Sequence, residues 1–327
     1  MNINENLQIN GEKVLLVGFR WFQNMGDDLL LLGNIKLLQK QKKEIYVVSQ
    51  DNERLKTFLS QEIDCSTIHF LDELPRGIRS GIKYLKKNGL KQRSSFKEID
   101  TIILWGGEIL TEESPHAYYY RFRSIRPALF CQKKLYLMGG IQIPQKWRNK
   151  ILFHWILKHT TQLLCRDFEE EKKLKEIWLQ NVDFFMDTSY FVRENWKGYR
   201  STPQEKYLII NMNSKGERFL PELIQKIKEY SEEYALYFVP VCCGWTDDDG
   251  KYFEVLKKDF PTLQKLEWKH FEEFLKILWG AEKVLTTRLH LFLISSYIGV
   301  PTHVFPYQKK INKMKNVLQT LNITTDE

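Results

Sequence analysis

Short apolar runs recur along this sequence, and each gives way to glycine, a polar loop or a helix start. Lys13–Phe19 (KVLLVGF), Glu44–Ser49 (EIYVVS), Asp100–Trp105 (DTIILW), Lys134–Met138 (KLYLM) and Gln162–Cys165 (QLLC) read as strands. Runs this short and this continuously apolar mark strands buried on both faces of a parallel sheet. Asp28–Gln39 carries apolar residues at helical spacing, and Asp167–Glu171 opens a further helix with acidic residues. Strands alternating with helices imply parallel βαβ units. The pairs Gly106-Gly107 and Gly139-Gly140 are expected to break the strands they follow. A polar stretch, Glu194–Glu205 (ENWKGYRSTPQE), interrupts the pattern. It then restarts with Tyr207–Asn211, Ala235–Val241, Lys283–Thr286 and Val300–Phe305. A chain of 327 residues is long for one core and suits two domains. They are expected at 1–198 and 206–327, with the final helix packing back on the first.

Composition removes several classes. Hydrophobic residues make up 43% and aromatics 13%, which excludes a disordered chain. The start, MNINENLQINGEK, is polar and has no apolar signal-peptide core. No stretch of about 18 apolar residues occurs, so no transmembrane helix is expected. Cys65, Cys131, Cys165, Cys242 and Cys243 form no C-x-x-C pair; a reduced, cytoplasmic protein without a zinc site or other metal is expected. Neither G-x-x-x-x-G-K-[ST] nor G-x-G-x-x-G appears, which argues against phosphoryl transfer from a nucleotide and against dinucleotide redox chemistry. The net charge is +8. Arg76, Arg79, Lys83, Lys86, Lys87, Lys91, Arg93 and Lys97 cluster without an acid among them. Such a segment is either a solvated helix and loop or a landing patch for phosphate-bearing or membrane-bound material. Its bases are not part of a recognisable nucleic-acid module. Trp147–His159 (WRNKILFHWILKH) mixes bases, tryptophans and aliphatics that suit an interface, but its aliphatics equally suit a packed helix.

In open parallel sheets, ligands sit beyond the carboxyl ends of the strands, so the loops there are the candidate site. After the first run come Asn24, Gly26, Asp27 and Asp28 at the opening of a leucine-rich helix. Asp27 or Asp28 would cap it; the same loop can hold an anion or a sugar hydroxyl. Gly106-Gly107-Glu108 follows the Asp100 strand. The paired glycines permit close approach, and Glu108 is either an acid–base group or a solvated carboxylate. Arg166-Asp167 opens a helix, as a surface ion pair with Asp167 capping or as an arginine aimed at an anion. Thr286-Thr287-Arg288-Leu289-His290 follows the Lys283 strand. There a guanidinium and an imidazole two residues apart, at the mouth of an apolar helix, offer an anion clamp and a proton carrier.

Taken in order, these loops resemble the polysaccharide pyruvyl transferases. The matching positions are Asn24-Met25-Gly26-Asp27-Asp28, Gly106-Gly107, Arg166-Asp167, Arg288-Leu289-His290, Gly299-Val300-Pro301 and Tyr307-Gln308-Lys309-Lys310. The resemblance implies a GT-B-like α/β fold, two Rossmann-type domains whose parallel sheets face an interdomain cleft, with the N-terminal domain on the acceptor side. It implies transfer of a pyruvyl group from phosphoenolpyruvate to a saccharide of a cell-surface polysaccharide precursor, as a ketal, with no cofactor beyond that donor. By the same resemblance His290 is the acid–base group, and Arg288, Arg166 and Lys309 bind the donor. Glu108 and Asp27 are catalytic candidates that could orient the sugar diol. Asn24, Gly26, Asp28, Gly106 and Gly107 shape the acceptor side. Asn213, Ile143 and Glu108 depart from the family pattern, where arginine, glycine and glycine are common.

Phosphoenolpyruvate carries a carboxylate and a phosphate close together, which calls for fixed cations that never deprotonate. Ketal formation needs a proton delivered to the donor's methylene carbon and a proton taken from a sugar hydroxyl, which one histidine can serve. The saccharide acceptor is expected free or lipid-linked; in the second case the protein would work at the inner face of the membrane, touching anionic lipid through 76–97. The alternatives are a GT-B glycosyltransferase using a nucleotide-sugar and a binding protein that kept the fold without turnover.

Overall fold

The computed structural model describes residues 7–18, 24–49, 51–72, 97–112, 118–119, 121–122, 124–125, 132–177, 181–196, 206–244, 247–306, 309–320 and 323. The basic segment 76–97 lies outside the described residues except for Lys97, as do Tyr307, Gln308 and the side chain of Lys309.

Seven parallel strands form the first sheet: β1 (Lys13–Gly18), β2 (Glu44–Ser49), β3 (Ile68–Asp72), β4 (Thr101–Leu110), β5 (Lys134–Ile141), β6 (Gln162–Cys165) and β7 (Val182–Phe184). Their order is β3-β2-β1-β4-β5-β6-β7, so the winding reverses between β1 and β4. Helices α1 (Met25–Lys40), α2 (Asn52–Glu62), α3 (Trp147–Lys158) and α4 (Phe168–Ile177) connect them. The strands read as apolar on both faces because both are covered. Leu15, Val17, Ile102, Leu104 and Leu137 pack with Phe153, Ile156 and Leu157 of α3 in one core cluster.

The second sheet has β8 (Tyr207–Asn211), β9 (Ala235–Phe238), β12 (Gln264–Lys265), β13 (Lys283–Thr286) and β14 (Thr302–Val304). A two-strand antiparallel pair, β10 (Cys243–Gly244) and β11 (Asp247–Asp248), sits between β9 and β12 in sequence. The five-stranded order β12-β9-β8-β13-β14 is again parallel, with its own reversal between β8 and β13. Its helices are α5 (Leu220–Tyr230), α6 (Gly250–Asp259), α7 (Phe271–Trp279), α8 (Leu289–Tyr297) and α9 (Lys309–Thr320). In α5 the buried residues are Leu223 and Ile227, four apart on one face, as expected for a helix lying on a sheet. Helix α8 differs: Leu289 and every residue from Leu291 to Ser296 are buried. Its serines remain tolerable because Ser295 Oγ donates to Leu291 O at 2.8 Å and Ser296 Oγ to Phe292 O at 2.8 Å.

By its internal contacts the chain divides into two compact units. One comprises residues 2–19 and 30–187; the other comprises Met1, residues 20–29 and residues 188–327. The first turn of α1 thus groups with the five-stranded sheet, and so does α9.

The glycine pairs do not end their strands. β4 and β5 run through them to Leu110 and Ile141, with register shifts at Gly106, Glu108 and Leu110. Gly106 and Gly139 both have φ of 150°, which side-chain-bearing residues rarely adopt. The two strands also approach closely here: a Cβ on Gly139 would lie 2.2 Å from the Gly106 carbonyl oxygen. The result is a bulge that carries the pairing past the glycines and turns Glu108 over Gly140. Gly139→Ala combines a backbone clash with strain at positive φ, so it should destabilise the protein by at least about 2 kcal/mol, measured as a lower midpoint in urea unfolding.

Candidate active site

In the five-stranded sheet, β8 and β13 are the strands on either side of the winding reversal, where open α/β sheets bind ligands. Their carboxyl ends are joined by side chains. Thr286 Oγ1 donates to Asn211 Oδ1 at 3.2 Å, and Thr287 Oγ1 to Asn213 Oδ1 at 3.2 Å. Asn213 also accepts from the Gly216 N–H at 2.9 Å, capping the 3-10 turn Ser214–Phe219. This polar position, which departs from the family's arginine, is therefore a buried cap.

Arg288 follows immediately. Its N–H donates to Thr286 Oγ1 at 2.9 Å, and its guanidinium engages Asp249 Oδ1 through Nε, at 3.1 Å, and through Nη2. The Asp249 side chain has no exposure to solvent. Its other oxygen, Oδ2, accepts from Asn211 Nδ2 at 2.9 Å, Val241 N at 3.1 Å and Cys242 N at 3.2 Å. Burial pushes the Asp249 carboxyl above its ordinary value, against the pull of the Arg288 guanidinium and the Asn211 amide. Nothing in the sequence singled out Asp249. It is one of three consecutive aspartates in TDDDG, and only the fold brings it to Arg288.

Two residues on, in the first turn of α8, comes His290. The first turn of α1, in the same unit, lies against it. A Cβ on Gly26 would stand 2.2 Å from His290 Nδ1. Only a glycine allows the imidazole this seat. Asn24 governs the start of α1. Its Oδ1 accepts from the Gly26 N–H at 3.1 Å, its backbone O from Asp28 N at 3.1 Å, and its Nδ2 donates to Asp27 Oδ2 at 3.1 Å. The cap is thus Asn24 and not Asp27 or Asp28, because the helix begins at Met25, earlier than its apolar spacing suggests. Asp28 is buried. Backbone bonds hold this turn to the loop after β9: Met25 N donates to Val241 O at 2.9 Å.

The second cluster belongs to the seven-stranded sheet. Arg166, at the end of β6, is buried and donates through Nη2 to Glu108 Oε1 at 3.0 Å and through Nη1 to Asp187 Oδ2 at 3.1 Å. Burial alone would lower its pKa, but the Glu108 and Asp187 carboxylates raise it above the usual arginine value, so it stays charged. Asp187 was not legible in advance. Asp167 Oδ1 accepts from Glu169 N at 2.7 Å, which caps α4 as expected. The Glu108 carboxylate lies over Gly140, whose Cβ would meet Oε2 at 2.8 Å. Gly107 lies at the same place, 4.0 Å from Arg166 Nη1 by the same construction. Ile143 packs against the core of this sheet. The sequence-predicted residues therefore fall into two groups. Asn24, Gly26, Asp27, Asp28, Arg288 and His290 lie in one unit, and Gly106, Gly107, Glu108 and Arg166 in the other.

Removing Arg288 would leave Asp249 without its cation. Arg288→Met should therefore cost about 3–5 kcal/mol at neutral pH. Asp249 has a raised folded-state pKa, and losing the guanidinium raises it further. Protonation relieves the buried charge, so the penalty should shrink as pH falls and grow as pH rises through that pKa. Urea unfolding of wild type and variant at pH 5 and pH 8 checks the sign.

Comparison with known structures places the fold. The chain is similar to UDP-GlcNAc 2-epimerase from Neisseria meningitidis, a structure bound to UDP-GlcNAc, at 12% identity and a TM-score of 0.57, covering 94% of this chain and 91% of that one. It is also similar to a UDP-N-acetylglucosamine 2-epimerase from Listeria monocytogenes at 14% identity and a TM-score of 0.60, covering 96% and 89%. These likenesses establish a GT-B-type α/β fold with parallel sheets. The sequence itself matches the profile of the polysaccharide pyruvyl transferases over residues 24–309, from the Asn24 cap through the Arg288–His290 pair to Lys309. The chain belongs to the polysaccharide pyruvyl transferase family.

Proposed function

We propose that the protein transfers the pyruvyl group of phosphoenolpyruvate to two hydroxyls of a saccharide, forming a ketal and releasing phosphate. The observation that carries this reading is the pairing of Arg288 and His290 at the carboxyl end of β13, with the imidazole seated on Gly26 and the guanidinium fixed by Asp249. His290 delivers a proton to the methylene carbon of the donor, leaving C2 electron-poor. One sugar hydroxyl adds there and gives up its proton; the second then displaces phosphate. A group that passes protons in both directions serves each step, and histidine does so near neutral pH.

The two arginine clusters suggest a division of labour. Arg288 faces one carboxylate, and the guanidinium has five N–H donors in a rigid plane, so it suits the donor's anionic groups. Lys309 supplies the second cation. Arg166 stands between two carboxylates, Glu108 and Asp187, so its surroundings are net negative. Such a cluster suits the hydroxyls of a saccharide better than a phosphate, although Arg166 remains a candidate donor ligand. Asp27 is a further group able to orient a diol.

Phosphoenolpyruvate should raise the melting temperature while UDP and GDP should not; the reverse would favour a nucleotide-sugar transferase. With a saccharide panel as acceptors, His290→Ala should lower kcat by about 10²–10⁴-fold. Arg288→Lys should weaken donor binding by about 10-fold or more, since a charge-assisted hydrogen bond contributes about 1.5–3 kcal/mol. Gly26→Ala should lower kcat by about 10²-fold with the donor KM within a few-fold, because the methyl group displaces the imidazole by about an ångström. Unchanged kcat in Gly26→Ala would remove His290 from the reaction or Gly26 from its support.

A further inference from the structure

We propose that the outward face of α3 is a contact surface for an anionic lipid bilayer. The helix buries Asn149, Phe153, Ile156 and Leu157 on one side. On the other, Trp147 is 67% exposed and Ile151 60%. Both positions recur in the outward stripe at i, i+4, i+7 and i+11, which His154 and Lys158 complete; both of these are exposed as well. Lys146, Arg148 and Lys150 flank the stripe and are exposed too. No Asp or Glu occurs between residues 146 and 159. Glu112, from outside the helix, accepts from Gln145 N, Lys146 N and Asn149 Nδ2 at the helix start, so its carboxylate is engaged there.

A tryptophan and an isoleucine held in water next to lysines fit one environment well. The ring and the aliphatic chain enter the boundary of headgroups and acyl chains while the cations stay among anionic headgroups. Arg148 lies 5.3 Å from the centre of the Trp147 ring, so the charge and the indole form one amphipathic unit. A second copy of the chain fits less well. A two-fold contact would bring this basic face against itself. A nucleic acid would satisfy the charges but leaves Ile151 without a partner. The surface is independent of the reaction proposed above.

The test uses the full chain and co-sedimentation with vesicles of phosphatidylcholine and phosphatidylglycerol, against pure phosphatidylcholine. Wild type should bind the mixed vesicles at low salt and weaken as salt rises. Trp147→Ser/Ile151→Ser should lower partitioning at least about ten-fold at every salt concentration. Lys150→Gln/Lys158→Gln should lower it by about 25-fold at low salt only, at about five-fold per residue. Circular dichroism and the phosphoenolpyruvate-induced melting shift should be unchanged in both variants. The proposal is overturned by equal partitioning of wild type and the Trp147/Ile151 variant, or by binding lost only when Lys83, Lys86, Lys87 and Lys91 are reversed to Glu, which assigns it to the 76–97 segment. It is equally overturned if the Trp147/Ile151 change alters the oligomeric state in solution without altering vesicle binding, or if retention on heparin or DNA, and not on vesicles, depends on these residues.

Discussion

A carboxylate with no access to water is costly unless its lone pairs are taken by donors, and Asp249 meets that demand with groups from several parts of the five-stranded unit. The end of β8 contributes the Asn211 amide, the loop after β9 contributes two backbone N–H groups, and the start of α8 contributes the Arg288 guanidinium. None of these can move far without exposing the charge to an apolar interior. Thr286 and Thr287 extend the same constraint across β8 and β13. His290 inherits its position, since it sits two residues beyond the fixed guanidinium and against the tightly held first turn of α1.

The seven-stranded unit solves the opposite problem. There the buried cation comes first: Arg166 cannot lose its proton, so it requires carboxylates, and Asp187 and Glu108 supply them. Asp187 lies at the end of the unit in sequence. Glu108 arrives only because β4 and β5 continue through four glycines in a bulge. Where the family more often has a third glycine, this chain has an acid, and Gly140 leaves space for it. With Glu108 present, one guanidinium faces two carboxylates, so the cluster is net negative.

Fold class, strand positions and the Arg288–His290 pair were legible because each depends on local pattern: β8 and β13 fall where their apolar runs lie. β3 (IHFLD) and β7 (VDF) were not read, being short and interrupted by polar residues. The glycine pairs were expected to break their strands; here the facing glycines let the two backbones approach and the pairing continues. The site's acids were the hardest to find. Asp249 is 39 residues from Arg288 and Asp187 is 21 from Arg166, and no spacing rule joins residues that only a crossover connection brings together. Asn24 was read as part of the loop that opens α1, with the cap assigned to Asp27 or Asp28, and its role as the cap depended on where that helix begins.

A polar pair at the mouth of an apolar helix becomes intelligible from the packing of α8. Its flanks are buried and its serine hydroxyls are satisfied by its own carbonyls, so its N-terminus is the place where charged groups cost least. That end coincides with the winding reversal of the sheet, where helices lead away to opposite faces and backbone ends converge. Open α/β sheets in general bind their ligands at such a position. Asp249 then supplies what helix and sheet alone cannot: it holds the Arg288 guanidinium through Nε and Nη2, and His290 follows two residues later in the first turn of α8.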